Sequence, residues 1–518
     1  MKFSHTNKDE AHKISKMIEF VKCASFVLYV KMEEKLSKKS ITKNYIYNMI
    51  YQALTLVLPI ITTPYLSRVL GAEGIGIYGY TYSVVTYFIL FGSLGVALYG
   101  QREIAYAGEN KEKRNKIFIE VNIFRFITIA IATIVYGLIF MRRNIYQVYY
   151  RILLFELWAA AFDISWFFQG MEEFKKTVVR NVLVRLSSVA LVFLLVKTRE
   201  DLVKFVLIYS LADFIGNLSL WLYLPKYTKD VKVKNIDIWK HVVPIFMLFI
   251  PQIANQVYKI LDTTMIGKLV IEKSETGYYE QSQKVIRLLL TIVTSLGVVM
   301  VPRMASTFAS GDRKKVNEYM KLSFKFVFFL AFPLMFGIVC VSSSFVPVFF
   351  GRGYDKVIQL INIMSPILVL MGVANVVGVQ YLLPTKKQKE YTVSVTIGVI
   401  SNFFLNYYLI KRYEAIGAAI ATVLSQLIVD VIQLLYIKND IDVKEIIMLA
   451  KKYLLSSLVM YIFCFMTGRY VKSFNGGYIW SIISQVMVGI IVYFTMLIIL
   501  KDDYIYKFIN TIKSKIVK

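Results

Sequence analysis

The chain has 518 residues, 57% of them hydrophobic and only 18% charged, with a mean hydropathy of +0.56. Soluble proteins carry about 25% charged residues, so this composition excludes an ordinary soluble domain. The formal net charge of +27 suits either a nucleic-acid binder or a membrane protein with basic inner loops, and the placement of the charge decides between them.

In chain order, residues 1–40 stand apart. The stretch "HKISKMIEFVKCASFVLYVKMEEKLSKK" is interrupted by charge too often to cross a bilayer. Two readings are open: an amphipathic helix lying on the inner leaflet, or a true start at Met32. The second is preferred, because the recognisable pattern of the chain begins just after that residue. A polar N-terminus without an A-x-A-like site predicts no cleavable signal peptide.

From there, apolar runs recur at roughly the 20-residue length a bilayer requires. They predict fourteen helices, near 44–66, 75–99, 117–140, 147–168, 178–196, 202–224, 242–267, 281–302, 322–344, 357–381, 391–410, 415–437, 453–468 and 478–500. Loops after even-numbered helices hold 25 Lys and Arg, and loops after odd-numbered helices hold 13. By the positive-inside rule both termini are cytoplasmic, with "MRRN" (141–144) the one loop that argues against it. The charge is therefore topological, and no nucleic-acid partner is expected.

Between the first two helices, Gly74, Gly76 and Gly79 spell the dinucleotide fingerprint G-x-G-x-x-G. That motif needs a buried strand before it and a soluble parallel sheet around it. Here an apolar helix precedes it and another follows, so these glycines are expected to serve the turn and close helix packing. No P-loop occurs. Cys23, Cys340 and Cys464, with His5, His12 and His241, are too dispersed for a disulfide framework or a metal site.

The segment at 76–115 resembles that at 277–317, with Ser-Leu-Gly-Val at 93–96 and again at 295–298, each followed by a basic loop. The offset spans six helices. An even number preserves orientation, so this is a parallel repeat about the membrane normal. Pro59 and Pro64 in the first helix, and Pro244 and Pro251 in the seventh, mark either paired breaks around a central site or packing kinks.

Ionisable residues inside spans are costly and face a cavity or a partner. Arg125, Glu156, Asp163, Arg185 and Asp213 lie in the first half, with Arg180 at the start of its fifth helix. Lys259, Asp262, Lys284, Arg287, Lys325 and Asp430 lie in the second. Lys284 and Arg287 are three residues apart, so two like charges share one helix face and suit an anion such as phosphate. The alternative is that Lys284 snorkels while Arg287 pairs with a carboxylate such as Asp213. Arg125, Arg180, Arg185 and Lys259 are further candidate cations. Asp262, Glu156 and Asp213 either bind a coupling Na⁺ or H⁺ or balance the arginines. The 36 tyrosines are expected mainly at the membrane interfaces.

"PYLSRVLGAEGIGIY" (64–78), "GQREIA" (100–105) and "ISWFFQGMEEFKK" (164–176) resemble the bacterial polysaccharide-export flippases of the O-antigen and capsule type. These belong to the multidrug/oligosaccharidyl-lipid/polysaccharide superfamily. The resemblance runs from about residue 40 to the C-terminus. It implies an all-α fold: two six-helix bundles facing each other in a V (44–224 and 242–437), two further helices (450–500) and a basic tail (501–518). It also implies transfer of an undecaprenyl-pyrophosphate-linked oligosaccharide across the bacterial inner membrane, without catalysis or cofactor. A polysaccharide polymerase and chain-length proteins would be its partners. Lys284 and Arg287 lie where related lipid II flippases present lumen cations, and Asp262 looks placed like an ion-coupling aspartate. The first helix has only Arg68, at its outer end, which weighs against the lipid II branch. The competing readings are a cation-coupled multidrug exporter, a lipid II-type flippase and a non-transporting scaffold.

Overall fold

A straight helix of 53 residues would be about 80 Å long, far more than the roughly 30 Å of a bilayer core. In the computed structural model, helix α1 (Ile41–Ser93) has that length but is divided at Gly71, whose backbone is non-helical at φ 69° and ψ 175°. Only glycine enters that region without strain. The structure describes residues 41–142, 145–228, 235–473 and 477–502. The N-terminal extension expected at 1–40, and nearly all of the tail, lie outside them.

Every regular element among the described residues is helical. After α1 come α2 (Val96–Ala107), α3 (Lys111–Phe140), and the short series α4 (Gln147–Ile152), α5 (Leu154–Phe162) and α6 (Ser165–Gly170). Next are α7 (Phe174–Leu195), α8 (Leu202–Ser219), α9 (Val242–Leu269), α10 (Lys273–Thr294) and α11 (Gly297–Ala309). The chain continues with α12 (Arg313–Phe349), α13 (Asp355–Met364), α14 (Ile367–Ala374), a π-helix at Asn375–Leu382, α15 (Gln388–Ile437), α16 (Val443–Ser473) and α17 (Tyr478–Ile499). α15 is divided like α1, at Glu414, which takes φ 54°.

Ten stretches among the described residues are long and apolar enough to cross a membrane, or eleven if α10 and α11, bent by 40°, count as one. This is a multi-pass membrane protein. The fourteen that the sequence predicts is not reached on this criterion: α1 and α15 each join two of the predicted helices, and the start of α9 qualifies only as a shorter apolar helix, Trp239–Phe249. The prolines do not break their helices: α1 is helical through Pro59 and Pro64, and α9 runs unbroken from Val242. The breaks fall instead at the repeated Ser-Leu-Gly-Val. α1 ends at Ser93 before α2, and α10 ends at Thr294 before α11.

The repeat has a direct structural signature. A Cβ on Gly76 would lie 1.8 Å from the Lys273 carbonyl oxygen, and one on Gly277 would lie 1.9 Å from that of Ala72. The same offset, 201 residues, separates Gly76 from Gly277 and Ala72 from Lys273. Equivalent positions of the two copies thus pack reciprocally, as a two-fold relation between the copies requires. This is what the decoy fingerprint does: Gly76 lets α1 and α10 touch backbone to backbone.

Around this seam the end carrying residues 67–74 and 268–280 is shut. Tyr354 Oη donates to the Ser67 carbonyl (3.0 Å), Gln281 Nε2 to Ser67 Oγ (2.9 Å) and Arg68 to the Val348 carbonyl (2.5 Å). At the opposite end Glu120 of α3, fully buried, accepts from His241 Nε2 (2.9 Å), and Tyr99 of α2 meets His241 Nδ1 at 2.6 Å. α16 and α17 pack on each other and on α12. Gln485 bonds there to the carbonyls of Cys340 (3.3 Å) and Cys464 (3.2 Å).

Candidate functional site

The intramembrane charges singled out in the sequence fall into three places. The first is a groove of about 460 Å³ between α1, α10 and α12. Leu56, Pro59 and Ile60 form one apolar wall and Ile338, Phe345 and Phe349 another, while Lys284 and Arg287 project from α10. The guanidinium of Arg287 donates to the backbone oxygen of Lys259 (3.2 Å) and bonds Gln283 Oε1. Lys284 and Arg287 therefore line the groove from α10, and Lys259 of α9 meets Arg287 through its backbone oxygen. None of them forms an ion pair among the described residues. Glu280, one turn before Lys284, is engaged by the Thr263 hydroxyl at 2.6 Å. Arg287 is directed to α9 and not to Asp213. Glu280 also acts electrostatically on Lys284, and the remaining excess of cation beside an apolar wall is suited to an anionic head on a lipid tail.

The second place is a polar cavity of about 390 Å³ inside the first half. Its walls hold Arg125 of α3, Glu156 of α5, Arg180 and Arg185 of α7 and Asp213 of α8, with Asp163 at the α5–α6 break. Arg125 Nη1 donates to the Asp163 carbonyl (2.6 Å) and Arg180 lies 3.9 Å from its carboxylate. Arg185 faces Glu156 and Asp213. Three arginines thus meet three carboxylates. Their charges balance in number, and the groove's do not. Asp163, noted in the sequence only as an intramembrane charge, is the residue that organises Arg125 and Arg180.

The third place surrounds Asp262 of α9, 2% exposed. Its Oδ2 accepts from Tyr279 Oη (2.5 Å) and Thr422 Oγ1 (2.7 Å), and its Oδ1 from Asn406 Nδ2 (2.6 Å). The same Asn406 nitrogen reaches Asn402 Oδ1 at 3.0 Å, while its own Oδ1 is buried with no partner among the described residues. Turning the amide over would set that oxygen against those of Asp262 and Asn402, with Thr422 Oγ1 close by. Such a set of oxygens fits a hard cation. Lys259, though three residues from Asp262, is exposed and forms no ion pair with it among the described residues. Sequence reasoning missed Asn402, Asn406 and Thr422. The signal available was two asparagines four apart, hence on one face of an apolar helix.

The comparisons with known proteins agree with this architecture. A family model described as "Polysaccharide biosynthesis protein" matches residues 41–308. The chain belongs to that family. A second model, "Lipid II flippase MurJ", matches residues 237–490. A "Putative O-antigen transporter" of Escherichia coli K12 is 25% identical over 410 residues, covering 78% of this chain and 98% of that protein. The lipid II flippase MurJ of Bacillus subtilis is 28% identical over 183 residues, 33% of this chain and 34% of that one. Among solved structures, lipid II flippase MurJ in an inward closed conformation superposes with a TM-score of 0.70 at 17% identity, over 89% of this chain and all of that one. An inward-facing multidrug resistance MATE family transporter of the MOP superfamily gives 0.60 at 13% identity, over 80% and 99%. These likenesses establish the fold shared with both families.

Proposed function

We propose that this protein moves a lipid-linked oligosaccharide, a surface-polysaccharide repeat unit on undecaprenyl pyrophosphate, from the inner to the outer leaflet of a bacterial inner membrane. The observation that carries this reading is the groove holding Lys284 and Arg287 beside an apolar wall. The cations hold the pyrophosphate, the prenyl chain lies along Leu56, Ile60 and Phe345, and the sugars enter between the halves at 44–224 and 242–437. Both termini face the cytoplasm, so the shut end lies outside and the protein is closed to the periplasm. Alternating access then requires the Gly76–Gly277 seam and the Ser67–Tyr354 contact to part.

Asp262 couples the cycle to a cation. With Asn402, Asn406 and Thr422 it would hold Na⁺, whose charge neutralises the buried carboxylate and ties α9 to α15. Glu156 and Asp213 balance Arg185 instead. A polymerase and chain-length proteins receive the flipped unit. A multidrug exporter would favour an acidic and apolar lumen, and the paired cations argue against it. The lipid II branch shares the fold, but α1 has no deep arginine.

The test is depletion of the protein in its host, with rescue by Lys284→Ala or Arg287→Ala expressed at wild-type level. Depletion should trap the lipid-linked oligosaccharide in the inner leaflet and abolish surface polysaccharide. A bond to a charged group contributes about 1.5–3 kcal/mol, so each substitution should cut export by about tenfold or more. Full rescue by both variants would refute the clamp.

A further inference from the structure

One buried acid has no part in the three places above. Asp430 lies on the second portion of α15, 3% exposed. One oxygen accepts a hydrogen bond from Gln426 Nε2 at 3.0 Å, and the other, Oδ2, is buried with no partner among the described residues. Gln426 in turn accepts from Tyr258 Oη at 3.4 Å. Other acids of this protein are answered: Asp262 by three donors, Glu275 by Lys356 (2.5 Å), and Asp163 by Arg180. Asp430 forms no ion pair among the described residues.

Beside it is a cavity of about 230 Å³ whose walls include Tyr258, Gln426 and Gln433. Gln426 and Gln433 stand four before and three after Asp430, so all three occupy one helix face. The titratable groups facing this region are Tyr258 from α9, with Asp262 beyond it, and Tyr391 from the first portion of α15. α10 presents Leu290 and Thr294, α14 presents Met371, and the π-helix presents Asn375; α13 contributes no wall residue. None of these carries charge. The π-helix is a second mark, since such distortions of a helix concentrate at functional positions. Gln433 Oε1 and Gln380 Oε1 are also buried without partners among the described residues.

We propose that Asp430 is a proton-binding site, distinct from the cation site at Asp262. An isolated carboxylate in a dry interior is expensive, whereas the neutral acid is not. The carboxyl's Oδ1 keeps the bond from Gln426, and Oδ2 takes a proton from water that reaches the cavity only when the halves rearrange. That proton returns to water when the halves rearrange. Na⁺ fits poorly here, because the immediate neighbours are one amide N–H and a distant phenol, where Asp262 has converging oxygens. The proton site's place in transport rests on the flippase reading, but proton binding itself does not.

The full-length protein, reconstituted in phosphatidylethanolamine–phosphatidylglycerol vesicles at neutral pH, provides the test by infrared difference spectroscopy. A protonated-carboxyl band should be present in wild type, lost in Asp430→Asn and retained in Asp262→Asn. In D₂O the band should shift. It should stop shifting when Ser67→Cys and Tyr354→Cys are bridged by a short bifunctional thiol reagent, in a background lacking the native cysteines. No difference between wild type and Asp430→Asn would show an ionised carboxylate and overturn the proposal. So would a band that shifts identically with the bridge in place, or one abolished by added Na⁺. None of these readings needs the lipid-linked substrate, so they fail independently of the flippase assay.

Discussion

At the residue scale, environment separates charges that look alike in sequence. Arg125 and Arg287 are both arginines in apolar helices. One is buried against the Asp163 carbonyl (2.6 Å), and the other reaches a backbone oxygen and a glutamine beside two lysines. The same holds for Asp262, whose carboxyl oxygens are fixed by three donors. Replacing Asp262 with Ala leaves the Tyr279, Thr422 and Asn406 donors without their acceptor and should cost roughly 2–4 kcal/mol of stability. Asp262→Asn should fold but lose the cation. Thermal unfolding in detergent checks this: Na⁺ in place of choline should raise the wild-type Tm and leave Asp262→Asn unmoved, because a ligand stabilises only the state it binds. Equal stabilisation of both would remove the coupling role. The charged residues were legible because charge is rare in apolar runs. Asn402, Asn406 and Thr422 were not, since uncharged polar residues are common in such helices and only the packing of α15 on α9 reveals what they face.

At the scale of elements, the glycines decide how the halves meet. The Cβ positions of Gly76 and Gly277 would fall within 2 Å of backbone oxygens that cannot move aside as a flexible side chain can. Gly76→Leu should therefore separate α1 from α10 and open the shut end. Accessibility of Ser67→Cys to a membrane-impermeant thiol reagent checks it, with labelling expected to rise several-fold over the parent. Gly337→Ala in α12 is the control, because nothing lies within 4 Å of the added methyl, and it should leave labelling unchanged. Unchanged labelling in Gly76→Leu would show that the seam does not govern the outer contact. The repeat was legible from Ser-Leu-Gly-Val and its spacing. The site of the bends was not: proline drew attention to the helix interiors, whereas α1 and α9 carry their prolines without a break, and the chain bends instead at Gly71 of α1 and at the repeated Ser-Leu between α1 and α2 and between α10 and α11. Proline in a membrane helix is tolerated where neighbouring groups satisfy the freed carbonyl.

At the scale of the whole molecule, an all-helical membrane protein was evident from run length and charge alone, because a bilayer permits few alternatives. The arrangement of the charges was not evident. Periodicity places a residue on a face of its own helix, and whether that face meets a groove, a balanced polar cavity or a sealed network depends on neighbours more than a hundred residues away. Hence nine candidate residues resolve into three places, and Asp430 stands as a fourth. The most direct test of the central claim is to reconstitute the protein in vesicles bearing the host's undecaprenyl-pyrophosphate-linked oligosaccharide, and to read its leaflet with an impermeant glycosidase. Wild type should expose the sugar to the enzyme with time, and the Lys284→Ala/Arg287→Ala double variant should hold it at the protein-free level. Exposure at the protein-free rate by active, folded wild type would contradict the account.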